Sequence, residues 1–254
     1  MWKTRSRTIS PSSLTEIPVF SFQFPVAGNG AGNPKQETGN RRWGELHGIS
    51  REEAYRIGIE KIADAAKWCR DGGIRMLTMW GFSMENFQRD QEEVGKLFGL
   101  FQKNLHEALG RKEEGTKYDV RVRFLGRTHL FPPHIQKMFR EVEKLSEEKK
   151  AYQLNLLLAY GGRAEIVDAV NAIIREGIKE VDEQAIASHL YTAGIPDPDL
   201  VIRTSGEQRL SGLLPWQTAY SELYFSRKLW PDFAKEDFLD ALKFYENTKR
   251  RFGK

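Results

Sequence analysis

The sequence predicts an α/β fold: a single domain with a mostly parallel central sheet of about six strands, flanked by helices. Two patterns predict it. Short apolar runs alternate along the chain with longer segments in which apolar residues recur at helical spacing. Some of these runs, such as residues 153–159, are largely apolar, which is typical of strands covered on both faces of a sheet. At 254 residues the chain is long enough for one large domain with a sizeable core.

The N-terminal half begins with residues 1–16, which are rich in Ser, Thr and Arg and which we expect to form a mobile tail, so that the domain spans residues 17–254. Glycine, asparagine and proline mark the loops, and a capping box from Ser50 to Glu53 begins a helix. The elements expected in this half are a strand at 19–26, a loop at 27–40, a helix from Ser50 to Gly72, a strand at 74–80, a loop at 81–86 and a helix from Gln91.

The C-terminal half repeats the alternation of strands and helices, with Pro132-Pro133 opening one helix and Gly161-Gly162 separating a strand from the next helix. The elements expected here are strands at 118–124, 153–159 and 200–202, with helices at 133–148, 162–173 and 182–191. In open parallel sheets, ligands bind outside the carboxyl ends of the strands. A functional site is therefore expected in the loops that follow the strands.

The charge balance excludes some classes of function. The chain has 39 Lys and Arg against 35 Asp and Glu, with the two signs interspersed, so it lacks the clustered basic footprint of nucleic-acid-binding proteins. Its small positive excess is compatible with peripheral contact with an anionic membrane. The one cysteine, Cys69, cannot form an intrachain disulfide, which fits a reducing cytoplasm. No run of eighteen apolar residues occurs, so no membrane-spanning segment is expected.

Anion-binding side chains follow the strand that ends near Ile202. The turn residues 204–206 close that strand, and the loop then presents Arg203, Arg209 and Ser211 within a short stretch. Two guanidinium groups and a hydroxyl suit an anion with several oxygens, such as a diphosphate. Glu222, further on, is the type of ligand that Mg²⁺ takes beside phosphate oxygens. The alternative is that Arg203 and Arg209 merely pair with Glu207 or with other surface acids.

Two further stretches carry polar side chains at predicted strand-to-helix turns. One is Gly-Asn-Arg-Arg-Trp at 39–43, where glycine allows a close approach of the backbone to a ligand and the arginines add charged donors. The other is Phe-Ser-Met-Glu-Asn-Phe-Gln-Arg at 82–89. Taken alone, the first is equally a basic surface turn and the second a polar turn with a helix cap.

These stretches together carry a resemblance to a known family. Residues 199–211 read Asp-Leu-Val-Ile-Arg-Thr-Ser-Gly-Glu-Gln-Arg-Leu-Ser, and Tyr-Ser-Glu-Leu-Tyr-Phe follows at 220–225. With the stretches at 39–43 and 82–89, they resemble the motifs of the cis-prenyltransferases, the Z-type isoprenyl diphosphate synthases typified by undecaprenyl diphosphate synthase. The resemblance covers residues 39–253 and, in outline, 17–38. Details such as Trp-Gly-Phe-Ser at 80–83 are more similar to the archaeal branch.

The resemblance implies a homodimer that condenses isopentenyl diphosphate with an allylic diphosphate (farnesyl or geranylgeranyl diphosphate) in the presence of Mg²⁺. It places Asn86 near the proton that is lost, makes Glu222 a Mg²⁺ ligand, and gives the isopentenyl diphosphate to Arg203, Arg209 and Ser211. The other implied substrate-binding residues are Gly39, Asn40, Arg41, Arg42, Trp43, Arg51, Tyr55, Ser83, Met84, Glu85, Phe87 and Arg89. The resemblance also implies a tunnel for the growing chain, walled by a helix whose apolar stripe, by itself, fits core packing equally well. This stripe is Leu97, Phe98, Phe101, Leu105 and Leu109.

The chain departs from the family pattern at one catalytic position. The aspartate that precedes the first motif aligns with Thr38, whose neutral hydroxyl cannot supply the charge that a hard cation requires. Glu37 is the nearby carboxylate that could replace it. We therefore expect lower activity than in the family, and a catalytically silent member that binds prenyl diphosphate or supports an active partner subunit stays an alternative. A third interpretation is a generic phosphate-binding α/β enzyme, but the sequence has neither a phosphate-loop motif nor a dinucleotide-binding glycine motif to support it.

Overall fold

The computed structural model describes residues 39–110 and 119–248, together with the backbone of residues 19–23. In this part of the chain a six-stranded sheet is ordered β3-β4-β2-β1-β5-β6, and every strand pair in it is parallel. The strands are β1 (Val19–Gln23), β2 (Met76–Ser83), β3 (Val120–Leu125), β4 (Tyr152–Tyr160), β5 (Leu200–Arg203) and β6 (Glu222–Phe225). The α/β class with a parallel sheet between helices is confirmed.

Helices cover both faces of this sheet because each βαβ crossover returns the chain along a face. The α-helices in the described ranges are α1 (Gly39–His47), α2 (Arg51–Asp71), α3 (Gln91–Gly110), α4 (Pro133–Ser146), α5 (Gly162–Arg175), α6 (Glu183–His189) and α7 (Lys235–Asn247). The predicted N-cap begins α2, where the Glu53 N–H donates to Ser50 Oγ at 3.2 Å, while the Glu53 carboxylate pairs with Arg56 and does not complete a capping box. Gly73, with φ of +74°, turns the chain after α2.

The core has parts on both faces of the sheet. On one face, α2 and α7 pack on β2 and β5 through buried residues such as Met79, Ile202 and Phe238. The opposite face carries a cluster that includes Trp80, Leu157 and Val201. A second cluster on the first face lies where α3 and α4 pack on β2 and β4 around Phe82 and Phe131, whose ring centroids are 5.4 Å apart. The predicted apolar stripe of α3 joins this second cluster. The tunnel that the resemblance implies stays a prediction.

Several predictions differ from the observed elements. Residues 39–43 were expected to be a turn leading to α2, but they begin helix α1. Packing on α2 decides their conformation, since a Cβ on Gly44 would lie 3.1 Å from Ala54 Cβ. Strand β2 continues through the expected loop to Ser83, with a register irregularity after Trp80. Strand β6 and helix α7 have no counterpart among the expected elements. The predicted tail at 1–16 lies outside the described residues.

Candidate functional site

Two of the predicted motifs begin where strands end. Ser83 is the last residue of β2 and Arg203 is the last residue of β5, so both side chains stand at the carboxyl edge of the sheet. Helix α1, which carries the Gly39–Trp43 motif, contacts α2 through Gly44. The three segments are far apart in sequence, and the ion pairs between them define the site.

The first group of charges surrounds Glu207, in the loop after β5. Arg203 Nη2 donates to Glu207 Oε2 at 2.7 Å, and Arg209 also contacts this oxygen. Arg42, which comes from α1, places its Nη2 3.6 Å from Glu207 Oε1. Arg203 Nη1 donates to Ser211 Oγ at 3.1 Å. One carboxylate therefore joins the first motif to Arg203 and Arg209, and Arg203 in turn bonds to Ser211.

The second group of charges surrounds Glu93, in the first turn of α3. Arg89 Nη1 donates to Glu93 Oε1 at 2.8 Å, and the Tyr55 hydroxyl donates to the same oxygen at 2.8 Å. Arg51 and Arg41 place guanidinium nitrogens 3.7 and 4.0 Å from Glu93 Oε2. Burial raises the pKa of the Glu93 carboxyl, but the hydrogen bond from Tyr55 and the arginine charges outweigh it, so the pKa is below its ordinary value. Glu93 is therefore held as a carboxylate.

Adjacent arginines of α1 connect the two groups. Arg41 reaches the Glu93 group, and Arg42 reaches the Glu207 group. The motifs at 39–43, 82–89 and 203–211 thus meet at one region of the surface. The alternative interpretation of the last motif is also observed, because Arg203 and Arg209 do pair with Glu207. These pairs are part of the same cluster of arginines.

Guanidinium donors in this region are left without hydrogen-bond acceptors. Within the described residues, Arg42 Nε and Nη2 and Arg203 Nε are buried and make no hydrogen bond, and the same holds for Arg89 Nε and Nη2. Burial lowers the pKa of the Arg203 guanidinium, although Glu207 opposes the shift. Buried charged donors without acceptors are costly unless an anion meets them. The arrangement therefore suits a ligand with several anionic oxygens.

Asn86 lies in the 3-10 turn that follows β2. Its Oδ1 accepts from the Ser83 N–H at 2.7 Å and from the Ser83 hydroxyl at 3.1 Å, and the residue is buried. These bonds fix the carboxamide in one orientation and leave its NH₂ as the group that can donate to a ligand. In the same turn Glu85 is half-buried, while Met84 and Phe87 pack against the aromatic cluster, with Phe87 5.0 Å from Phe82 between ring centroids.

The other residues of the first motif have supporting contacts. Gly39 is buried at the start of α1. Trp43 Nε1–H donates to Asp232 Oδ1 at 2.7 Å, so the indole N–H bonds to the C-terminal part of the chain. The ring of Trp43 stacks on His47. The Asn40 side chain lies against α2 at Gly58, where a Cβ would stand 2.4 Å from Asn40 Nδ2.

Gly58 gives a prediction about the first motif. Gly58→Ala adds a methyl group where Asn40 lies, so we expect Asn40 and the start of α1 to be displaced and the activity of the site, measured as kcat/KM, to fall about tenfold, since small displacements of binding groups are costly. Gly99→Ala in α3, where a Cβ has open space, is the matched control; it should keep its activity and gain up to about 1 kcal/mol of stability. Unchanged kinetics in Gly58→Ala would show that Asn40 needs no such support.

The loop after β5 is held by a buried network that the sequence did not reveal. Glu165 in α5 is fully buried and accepts from the Tyr160 hydroxyl at 2.6 Å, from the Tyr191 N–H at 3.0 Å and from Gln217 Nε2 at 3.2 Å. Burial raises the pKa of this carboxyl, and the hydrogen bonds oppose the rise. The network ties α5 to the segment that follows Ser211. The signal for this network in the sequence was the carboxylate of Glu165, which follows Gly161-Gly162.

The backbone of the same loop is strained. Ser205 and Ser211 have φ of +75° and +50°, and Leu214 has φ of +44°. Such values cost about 1–3 kcal/mol for residues other than glycine and cluster at functional sites. Gly162 lies directly against this loop, since its N–H donates to the Gly212 carbonyl at 3.0 Å and a Cβ at Gly162 would clash with Pro215. Ser211 is thus placed beside Arg203 at an energetic cost.

The structure does not bring Glu222 to the arginines. In the parallel register, Glu222 at the start of β6 is opposite Leu200, whereas Arg203 is opposite Phe225. Three strand steps, about 10 Å, separate the two levels. No three His, Cys, Asp or Glu residues in the described ranges form a group that could hold a metal ion. The described residues therefore do not form an all-protein metal site, and Glu37 and Thr38 lie outside the described residues.

The comparisons with known proteins agree with this geometry. The prenyltransferase family model described as undecaprenyl diphosphate synthase matches residues 37–253. The chain belongs to this family. It is 44% identical over 224 residues to the Methanocaldococcus jannaschii tritrans,polycis-undecaprenyl-diphosphate synthase (geranylgeranyl-diphosphate specific), covering 85% of this chain and 80% of the relative. It is 45% identical over 226 residues to the Thermus thermophilus isoprenyl transferase, covering 85% and 86%.

A solved structure gives the same family fold. The crystal structure of lavandulyl diphosphate synthase from Lavandula x intermedia in complex with dimethylallyl diphosphate matches with a TM-score of 0.80 and 31% identity, over 92% of this chain and 97% of that one. The resemblance to the cis-prenyltransferases is confirmed, and the chain is a prenyltransferase. The catalytically silent alternative is not favoured, because relatives of this similarity are named as transferases and synthases. Archaeal and bacterial relatives match equally well.

Proposed function

We propose that this cis-prenyltransferase condenses isopentenyl diphosphate with farnesyl or geranylgeranyl diphosphate to give a Z-polyprenyl diphosphate. One observation carries the proposal: Arg42 from α1, Arg203 at the end of β5 and Arg209 in the following loop converge on a single carboxylate, Glu207. A site with guanidinium groups from two distant motifs has the charge to hold two diphosphates side by side.

The two diphosphates are assigned to the two ends of this arginine-rich region. Arg203, Arg209 and Ser211 receive isopentenyl diphosphate, because Arg203 and Ser211 already form a hydrogen-bonded pair at the end of β5. The allylic diphosphate lies at the N-terminus of α1, between Arg42 and Arg51. The backbone N–H groups of the first helical turn add donors there, and the helix dipole favours an anion.

The proposed reaction needs stabilisation of the leaving diphosphate. As the bond between the allylic carbon and the diphosphate oxygen breaks, negative charge grows on that diphosphate, and preorganised guanidinium donors stabilise it. The double bond of isopentenyl diphosphate attacks the resulting cation-like carbon, and a proton is lost. Asn86, fixed by Ser83, positions the isopentenyl unit for this step.

A hydrophobic wall beside the charged region supports a prenyl substrate. Phe87 follows Asn86 directly, and its ring packs with Phe82 and with Phe131, at 5.0 and 5.9 Å between centroids. Aromatic side chains of this cluster provide the apolar surface that a growing chain needs, and the tunnel is proposed between α3 and this wall.

Magnesium is proposed only as a partner of the bound diphosphates, as in the family generally. Glu222 lies apart from the arginines of its own chain, so no described residue is assigned as a ligand and no step is assigned to the metal.

A homodimer is proposed because α5 has an apolar face exposed to solvent. Val167, Val170 and Ile174 lie on one side of this helix, with exposed fractions of 54%, 39% and 67%. An apolar stripe of this kind is typical of a surface that a second copy covers. We expect Ile174→Asp to convert a dimer into a monomer in multi-angle light scattering, whereas Lys179→Asp, in the exposed loop after α5, should remain dimeric. A wild-type chain that is monomeric at micromolar concentration would contradict this.

A cytoplasmic enzyme with peripheral membrane contact is proposed from the lipid nature of the product. None of the helices in the described ranges is long and apolar enough to cross a bilayer.

The activity assay for this function uses the purified full chain with labelled isopentenyl diphosphate, an allylic diphosphate and Mg²⁺. We expect labelled product that is extractable into organic solvent, and its loss in Arg42→Ala. Arg140→Ala, an exposed arginine of α4, is the matched control and should be as active as the wild type. Absence of product with farnesyl and geranylgeranyl diphosphate, in folded protein, would reject the proposal. Thr38→Asp should then be tested, since its gain of activity would reinstate the silent alternative.

A further inference from the structure

Glu207 has an unusual place in the site, because its carboxylate stands where a diphosphate is expected to bind. Its two oxygens contact three guanidinium groups, those of Arg42, Arg203 and Arg209. Three positive charges surround one negative charge, and buried nitrogens of Arg42 and Arg203 still have no acceptor within the described residues. The single carboxylate of Glu207 therefore provides hydrogen-bond acceptors for only some of the guanidinium N–H groups around it.

The two carboxylates of the site differ in how they are held. Glu93 lies in a 20-residue helix and accepts a hydrogen bond from Tyr55 as well as from Arg89, so its position is fixed by the fold. Glu207 lies in a loop directly after Gly206, which has φ of +76°, and within the described residues its carboxylate contacts arginines. Its side chain is about one-quarter exposed, at 26%, so it can turn toward solvent without crossing the core. Of the two carboxylates, Glu207 is therefore the one that a bound anion can displace from the arginines.

We propose that Glu207 is a resident counter-anion that holds the three arginines together in the empty site and leaves them when a diphosphate binds. The inference rests on the proposed function, since it concerns the same site. A carboxylate there reduces repulsion among the guanidinium groups before substrate arrives. It also competes with the diphosphate, because binding must first break the contacts of Glu207 with Arg203 and Arg209. Glu207 thereby lowers the affinity for the pyrophosphate product and aids its release.

A titration with inorganic pyrophosphate tests this inference. We expect Glu207→Gln to bind pyrophosphate about tenfold more tightly than the wild type in isothermal titration calorimetry, since the competing charge is gone. Glu180→Gln, which removes an exposed carboxylate in the loop between α5 and α6, controls for net charge and should bind as the wild type does. A purely structural role for Glu207 predicts the opposite, weaker binding. Equal or weaker binding by Glu207→Gln would therefore overturn the inference.

A third arm separates this inference from the proposed function. Arg203→Ala should lose pyrophosphate binding; if it binds as the wild type does, the diphosphate site itself is wrongly assigned, and the role of Glu207 falls with it. If Arg203→Ala loses binding while Glu207→Gln gains none, only the role of Glu207 is rejected. Melting temperatures with and without pyrophosphate provide a second readout, because a tighter ligand stabilises more. Glu207→Gln should melt below the wild type without ligand and show the larger shift with it.

Discussion

Replacing Arg203 by alanine is expected to lower kcat/KM for isopentenyl diphosphate by roughly 10²–10³-fold, the range for removing a preorganised charged donor from a transition state. Arg203 is only 2% exposed, ends β5 and donates to both Ser211 and Glu207. Arg203→Lys should recover little of this activity, because an ammonium group cannot keep both hydrogen bonds in the same geometry. Steady-state kinetics with each substrate varied in turn are the measurement.

The control for Arg203 is Arg175→Ala, at the exposed end of α5, which should leave kcat/KM unchanged. Circular dichroism would establish that Arg203→Ala is folded. A folded Arg203→Ala enzyme with kcat/KM within a factor of three of the wild type would exclude Arg203 from diphosphate binding.

Replacing Glu93 by glutamine is expected to lower kcat/KM for the allylic substrate by about 30-fold. Removing one partner of a fully buried ion pair costs about 3–5 kcal/mol, and we expect less here because Glu93 is partly exposed. The substitution leaves Arg41, Arg51 and Arg89 without their shared carboxylate, so their guanidinium groups should spread apart. Glu93→Asp should be intermediate, since it keeps the charge on a shorter side chain.

The comparison that isolates Glu93 is with Glu92→Gln, one residue earlier on the exposed side of α3, whose ion pair with Lys96 is at the surface. That variant should behave as the wild type. Glu93 and Glu207 are thus expected to act in opposite directions on anion affinity. Tighter pyrophosphate binding in Glu93→Gln would show that Glu93, too, is a displaceable anion.

The sequence predicted the parts of the molecule that depend on local pattern. The alternation of strands and helices, the N-cap at Ser50 and the end of that helix at Gly72 are local, and each was confirmed. Helix α1 was not predicted, because its glycine and paired arginines favour a turn in isolation and only packing of Gly44 on Ala54 selects the helix. Local propensity cannot report such a contact between segments.

The candidate site shows the same limit. Arginines at 41–42, 89, 203 and 209 were identifiable from their spacing and from the family resemblance, and Glu207 was expected as a partner of Arg203 and Arg209. The contacts that join the motifs were not predicted, since Arg42 reaches Glu207 and Tyr55 reaches Glu93 across 38 or more residues. The position of Glu222 was also out of reach, because it follows from the register of β5 and β6, which no local pattern specifies.

The most direct test of the diphosphate site is a crystal structure of the full chain with isopentenyl diphosphate and a non-reactive thio analogue of geranylgeranyl diphosphate. We predict one diphosphate bonded to Arg203, Arg209 and Ser211, a second between Arg42 and the N-terminus of α1, and Glu207 turned away from both. Diphosphates bound elsewhere, with Arg42 and Arg203 contacting neither, would contradict the proposed function.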